Sequence, residues 1–418
     1  MIKKNFDINI ICKFLIVFFP ISLLISSGAM EINIIILIIF YLINCFINKD
    51  FNFIKDKYFL LLSILWIALI INCFFSKNFN LSFSRSFFFI KYILLIYAIN
   101  FVISDKKNIN FIILFWSIIL LIVGFDICFE YINKKNIIGF HSTTDPTRIA
   151  SFLGEELKIG HFVLGFLFVS TGYYFEKFQK YSRYYKILGY ILLLFLILSI
   201  ILTGERSNTI KCLICFFLFI IFSKEKLIKY KKTTIVLIIS LLCLAYSTSD
   251  RLKFRFNTYY KPIKEIGLIN TIKLIKHGAH YHTAIEIFKS YPIFGIGNKN
   301  FREECNNEKY FDSTYAYAAE RCSTHPHQIY LELLSEHGIF GFVTILTIIF
   351  YVLYKSFTIF LKKLNLIHLG SIVFVTSTFI PIIPSGSFFT SWGAAIFWTN
   401  FAIMIAYNNK ELENKNSN

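Results

Sequence analysis

The chain has 418 residues, 56% of them hydrophobic and 19% aromatic, with 16% charged and a mean hydropathy of +0.61. A soluble chain carries about 25% charged residues and has no means of hiding this much apolar surface, so a water-soluble globular fold is excluded. The 43 Lys and Arg against 25 Asp and Glu give +18. In a membrane chain that excess is counted by side of the bilayer before a polyanion is invoked, and no nucleic-acid partner is expected.

Apolar runs separated by polar breaks predict about twelve spans, near residues 9–27, 30–47, 58–76, 86–104, 110–132, 159–175, 187–203, 208–222, 233–248, 338–354, 366–383 and 388–407. Met1-Ile-Lys-Lys leads straight into the first of them. No small-residue cleavage site precedes Met30, so the first span is expected to stay as an anchor. With the N-terminus inside, the inner segments hold 21 Lys and Arg and the short outer loops seven, as the positive-inside rule requires. Lys224, Lys226, Lys229, Lys231 and Lys232 are the densest inner anchor.

Residues 249–324 stand apart as a long polar segment on the outer face. The expected architecture is an all-α integral membrane protein of about twelve transmembrane helices, with one large extracytoplasmic loop between spans nine and ten. Its parts are residues 1–248, carrying spans one to nine, the outer loop 249–337 with short helices, and residues 338–418, carrying spans ten to twelve and a cytoplasmic tail. Both termini are expected in the cytoplasm, with the working face outside. Eight of the nine histidines, all but His368, fall on or near that face.

Seven cysteines lie in spans, where Cys behaves as a small hydrophobe, and Cys212 and Cys215 read as helix packing. Cys305 and Cys322 are the pair in the outer loop. An oxidising compartment permits a disulfide there, although spacing does not require one.

The most informative stretch runs from Ser323 to Gly341. Thr324 can cap a helix, Pro326 suits its first turn, and Tyr330, Leu333, Leu334 and His337 repeat at helical spacing. His327 is therefore expected in the first turn, about 16 Å above Gly338. A helix N-terminus disfavours imidazolium and welcomes anions, which suits a neutral base beside a phosphate; a solvated loop histidine is the plainer reading.

His327-Gln328, followed after nine residues by Gly338-x-x-Gly341, resembles the signature of the O-antigen ligase and O-antigen polymerase superfamily of bacterial envelope glycosyltransferases. The run Ala284 to Gly297, ending Pro292-Ile-Phe-Gly295-Ile-Gly297, is similar to the turn that follows an amphipathic helix in that family. Leu202-Thr-Gly-Glu-Arg206-Ser-Asn208 resembles the family's outer turn, whose arginine is thought to hold the lipid diphosphate. From the residues alone, Arg206 is equally a snorkelling arginine paired with Glu205. Arg148 is a looser match, ahead of a Gly-containing turn. The sequence departs from the family where relatives carry an arginine before the Pro-x-x-Gly-x-Gly turn. His277-Gly-Ala-His280-Tyr-His282 stands there instead, and His280, if protonated, is the positional substitute.

The resemblance implies a metal-independent transferase without cofactor, moving a glycan from a polyisoprenyl diphosphate carrier to an acceptor sugar of the lipid A-core type. His327 is the implied base. Arg206, Arg148, His280 and Lys211 are the implied diphosphate ligands. Donor glycan, lipid-linked or core-oligosaccharide acceptor and membrane lipid are the implied partners, at the outer face of the bacterial inner membrane. A polymerase joining lipid-linked repeats has the same motifs. A transporter of polysaccharide or lipid predicts internal repeats and broken spans, and the sequence has no convincing repeat. His280-x-His282 and His325-x-His327 with Glu303 or Glu304 form the alternative metal set, although their spacing is not diagnostic. Of the ionisable residues inside spans, Lys91, Asp126 and Lys211, only Lys211 stands one helical turn from Arg206.

Overall fold

The computed structural model describes residues 7–141, 143–178, 183–223 and 231–409. Lys224, Lys226 and Lys229 of the inner anchor lie outside the described residues, as do residues 1–6 and the tail from 410. Among the described residues there is no strand. The helices are α1 Ile8–Ile25, α2 Ser27–Asn48, α3 Lys57–Cys73, α4 Phe79–Phe87, α5 Ile90–Ile103, α6 Lys106–Asn133, α7 Ile159–Phe178 and α8 Arg183–Leu202. They continue as α9 Arg206–Phe222, α10 Lys231–Thr248, α11 Asp250–Lys273, α12 Lys276–Ser290, α13 Phe301–Glu304, α14 Ile329–Lys363, α15 Leu366–Thr378 and α16 Ser391–Asn408.

A helix covers each of the twelve expected apolar runs. Among the described residues, six stretches are long and apolar enough to cross a bilayer: α1, α2, Phe79–Ile103, α6, α10 and α14. Their outward faces are apolar too. On α6, Ile118, Ile122, Phe125 and Phe129 form an exposed stripe, while Trp116, Leu120, Val123 and Ile127 are buried. An exposed stripe of this kind is stable against hydrocarbon and costly in water, so the chain is an integral membrane protein. Indole donors tie helices across the core, from Trp116 Nε1 to the Ile16 carbonyl and from Trp392 Nε1 to that of Leu23, both at 3.0 Å.

Polar segments gather at two opposite sets of helix ends. Asn365 donates to Glu176 at 2.9 Å and Tyr97 donates to Asp56. At the other end Lys77 N donates to the Ile296 carbonyl (2.9 Å) and Ser385 N to that of His327 (2.8 Å). Lys91 pairs with Glu31 at 2.6 Å, and Asp126 accepts from Ile137 N and Ser151 Oγ. These two intramembrane charges therefore serve packing.

The expected boundary at 337/338 lies within α14. Helix α14 runs on past this point, but Gly338 within it sits at φ 59°, ψ −167°, a region open essentially to glycine alone, and kinks the helix there. The break releases backbone groups, and the turn 292–297 takes them. Ile339 N and Phe340 N donate to the carbonyls of Pro292 and Ile293, while Ile296 N and Gly297 N donate to those of Ser335 and Glu336. A Cβ on Gly338 would lie 2.3 Å from the Ile293 oxygen, and one on Gly295 would lie 2.5 Å from the Glu336 carbonyl carbon. The two separated glycine motifs are thus one interlocked unit. Gly338→Ala is expected to cost about 1–3 kcal/mol from backbone conformation, with the clash in addition, and to lower the midpoint of unfolding in detergent. An unchanged midpoint would show that the interlock does not hold this junction.

Candidate functional site

His327 is not in a helical turn. Helix α14 begins at Ile329, capped by Gln328, whose side chain accepts from Leu331 N at 2.9 Å. Neither Thr324 nor Pro326 opens it. The reason is local: His327 has φ +59°, a left-handed conformation that no residue of the first helical turn takes, so the helix starts only after it. Such a non-glycine residue persists where its surroundings over-determine it. Here the Ser385 amide holds the His327 carbonyl, and Ser323 Oγ lies 3.0 Å from Nε2.

The ring faces a cleft of about 530 Å³. Arg148, Lys158 and Lys211 supply cations to its wall, Glu205 and Glu156 anions, the latter paired with Lys158 at 3.1 Å, His161, His277, His325 and His327 imidazoles, and Phe388, Trp392 and Phe397 an apolar side. The stretches 148–161, 205–211 and 377–397 and the large outer loop all contribute.

Arg148 is placed by its backbone. Ile149 N donates to the Thr203 carbonyl at 3.1 Å, and Arg251 Nε and Arg255 NH1 clamp Thr147 through its carbonyl and hydroxyl at 2.6 and 3.0 Å. Arg255 also pairs with Asp145 at 2.8 Å. The Arg148 guanidinium donates to the Leu157 carbonyl and stands 4.0 Å from Glu205, while its Nε is buried without a partner. Glu205 itself accepts from Gly160 N (2.7 Å) and Asn208 (2.5 Å), so the turn is fixed from both sides. Lys211 is buried at 5% exposure. Among the described residues no carboxylate lies within ion-pair distance of it. A buried ammonium facing a cleft in this way favours an anionic occupant.

Arg206 does not line the cleft among the described residues. Its guanidinium lies 4.0 Å from the centre of the Tyr259 ring and donates to the Arg255 carbonyl at 2.9 Å. Neither is it paired with Glu205. The charge of Arg206 nevertheless reaches His277, whose pKa falls to about 4 through burial first, then His280, Arg206, His325 and Lys276.

His280, the expected positional substitute for an arginine, is enclosed by its neighbours. It is 1% exposed, and its Nδ1 lies 2.9 Å from the Arg321 carbonyl. Burial, with Lys276 nearby, holds its pKa below the ordinary value even though that carbonyl and Glu320 oppose the shift. Burial and Lys276 thus disfavour the imidazolium that a substitute for the missing arginine would need. His327 is driven down further, by burial and then by His325, His277 and His280.

Rings of His277, His280 and His325 surround His327 at centroid distances of 4.9, 5.3 and 4.1 Å. The alternative metal set does not assemble. His282 lies 3.5 Å from Asp312, Glu303 takes Asn78 and Glu304 takes Tyr310. His277, His280 and His327 instead bring ring nitrogens within 4.8 Å of one another. The sequence marks His277 only as one of many outer histidines; nothing in its spacing points to His327.

Cys305 and Cys322 are disulfide-bonded, with Cα atoms 5.3 Å apart. Next to the bond, Arg321 donates to the Asn306 carbonyl and Glu308, and its own carbonyl meets His280. The bond thus anchors the segment that orients the histidines. Replacing both cysteines with serine is expected to cost about 3 kcal/mol for a 17-residue separation. Faster protease cleavage between 305 and 322 checks this, and unchanged cleavage counts against it.

A polar network missed in the sequence ties the remaining wall to α14. Glu332 accepts from Ser387 Oγ and Phe388 N, Lys299 Nζ donates to Ser387 Oγ, and Glu336 accepts from the amides of Lys299 and Phe301. Glu332 and Glu336 are fully buried.

An all-helical integral membrane protein with a cationic, imidazole-walled cleft at one set of helix ends is the class that this fold and site define. Residues 191–346 match the family model described as O-antigen ligase, a family whose members are glycosyltransferase-like enzymes. The matched stretch carries Arg206, Lys211, His280 and His327; Arg148 and the wall from 377 to 397 lie outside it. No curated protein matches the chain.

Proposed function

We propose that the protein is an O-antigen ligase-type glycosyltransferase, transferring a glycan from a polyisoprenyl diphosphate to an acceptor sugar of the lipid A-core type. The carrying observation is that His327, fixed in a left-handed backbone, shares one cleft with Arg148 and with Lys211, a cation that no described carboxylate pairs. The acceptor hydroxyl gives its proton to His327, and its oxygen forms the new bond at the anomeric carbon. The bond from that carbon to the diphosphate breaks, and the electron pair leaves with the diphosphate. Arg148 and Lys211 neutralise the growing charge, and Arg206 reaches it by exchanging Tyr259 for phosphate oxygens. These cations do what a metal ion does elsewhere, so the transfer as written calls for no metal and no cofactor.

In this reading about twelve helices cross the bacterial inner membrane, both termini are cytoplasmic and the cleft opens outside. Residues 1–248, 249–337 and 338–418 act as helix bundle, outer loop and closing helices. The test is a deletion strain complemented with the wild-type gene or with His327→Ala, its surface glycan resolved on gels. Polymer left on its lipid carrier is the result expected of a ligase. Single repeats on the core would make it a polymerase, and full complementation by His327→Ala would remove His327 from the chemistry.

A further inference from the structure

The histidine cluster has features that the transfer reaction does not use. His277 and His280 stand three residues apart on α12, one helical turn, and project from the same face toward His327. A carbonyl can only accept, so the contact from the Arg321 oxygen puts a proton on His280 Nδ1 and leaves the Nε2 lone pair free. That is the arrangement by which metal-binding histidines are oriented. In His277 the Nδ1 atom is buried without any hydrogen-bond partner, as is Nε2 of His325 behind His327. Buried ring nitrogens are ordinarily satisfied, and three convergent imidazoles with spare nitrogens are not explained by proton transfer at one of them.

We propose that His277, His280 and His327 form a binding site for a divalent transition metal of the Zn²⁺ class, and that its occupation withdraws His327 from proton transfer. Nitrogens within 4.8 Å of one another close onto an ion with Zn–N of about 2.0–2.1 Å through side-chain rotations of about an ångström. His277 and His327 line the cleft, so a fourth coordination position faces it and the ion can exchange. The surroundings set selectivity. Lys276, held by Glu320 at 2.6 Å, Arg321, held by Glu308 at 3.1 Å, and Arg206 make the region hostile to a hard, oxygen-seeking cation. Affinity must come from imidazole, which favours Zn²⁺, Ni²⁺ and Cu²⁺ over Mg²⁺ and Ca²⁺.

The experiment titrates Co²⁺ into the full-length, detergent-solubilised chain, carrying no polyhistidine tag, and follows the visible bands of low-symmetry Co²⁺. One equivalent is expected to bind and to be displaced by Zn²⁺ but not by Mg²⁺. His277→Gln and His280→Gln are each expected to weaken binding by about tenfold or more. His282→Ala, on the same helix and outside the triad, is expected to leave it unchanged. Absence of the bands in the wild-type protein, or bands that survive both glutamine substitutions, overturns the site. So does loss of the bands in His282→Ala with retention in His280→Gln. The inhibitory half rests on the transferase reading and is measured separately, as transfer by the wild-type protein with and without saturating Zn²⁺. Undiminished transfer at full occupancy overturns that half, while a metal-free protein without transfer activity condemns the transferase reading and leaves the binding result standing.

Discussion

His327→Ala is expected to lower glycan transfer by about 10²- to 10⁴-fold, the range that a positioned general base contributes, while the protein still folds and reaches the membrane. The side chain is well placed to be removed without structural damage. It is half-buried at a cleft, and its one side-chain hydrogen bond is with Ser323 Oγ. Its backbone bond from the Ser385 amide survives the substitution. The φ of +59° is strained for alanine as for histidine. His327→Gly therefore separates the two contributions, because it relieves the backbone while still lacking the base. Transfer is expected to be lost equally in both variants. Recovery in His327→Gly would mean that the conformation, and not the imidazole, matters. The measurement is transfer from a lipid-linked glycan in membranes holding equal amounts of each variant.

Arg148→Ala is the second large effect, expected at about 10²- to 10³-fold, as for removal of one preorganised donor to a developing charge. Arg148 projects into the cleft from a segment clamped by Arg251 and Arg255, so its loss should not move the surrounding backbone. Arg148→Lys is expected to recover only part of the loss. The planar fork that spans Leu157 and Glu205 while leaving donors for phosphate has no counterpart in an ammonium. Full recovery with lysine would reduce Arg148 to a point charge, and wild-type transfer by Arg148→Ala would place the leaving group elsewhere. Glu205, lying against the same guanidinium, gives an independent check. Glu205→Gln keeps its contact with Gly160 N but removes the counter-charge, and so distinguishes positioning of the turn from neutralisation of Arg148.

The glycine motifs show how sequence and structure share the explanation. Gly295 and Gly338 are separately legible as members of two glycine motifs, because glycine in such patterns marks special backbone geometry. That each occupies the space beside the other's chain is a tertiary fact, since it depends on the helix breaking at Gly338 and on the turn reaching it from more than forty residues away. The helix cap escapes the sequence for a related reason. Thr324, Pro326 and Gln328 all have the chemistry to start a helix, and the backbone of His327 decides among them.

Long-range contacts decide the rest of the site. Arg206 is marked by its motif, yet Tyr259 and the Arg255 carbonyl turn it from the cleft. His280 stands in the position of a cation substitute, yet burial disfavours its charged form. His277 and Glu205 have no spacing signal that separates them from their neighbours.

Hydropathy by itself determined the helices and their membrane character, because hydrocarbon imposes one requirement on every residue of a span, and that requirement is written locally in twenty-residue runs. The tertiary structure alone decided which outer-face charges meet. Guanidinium and imidazole groups take their roles from neighbours far away in the chain, and the charge each carries is set by the burial that those neighbours create.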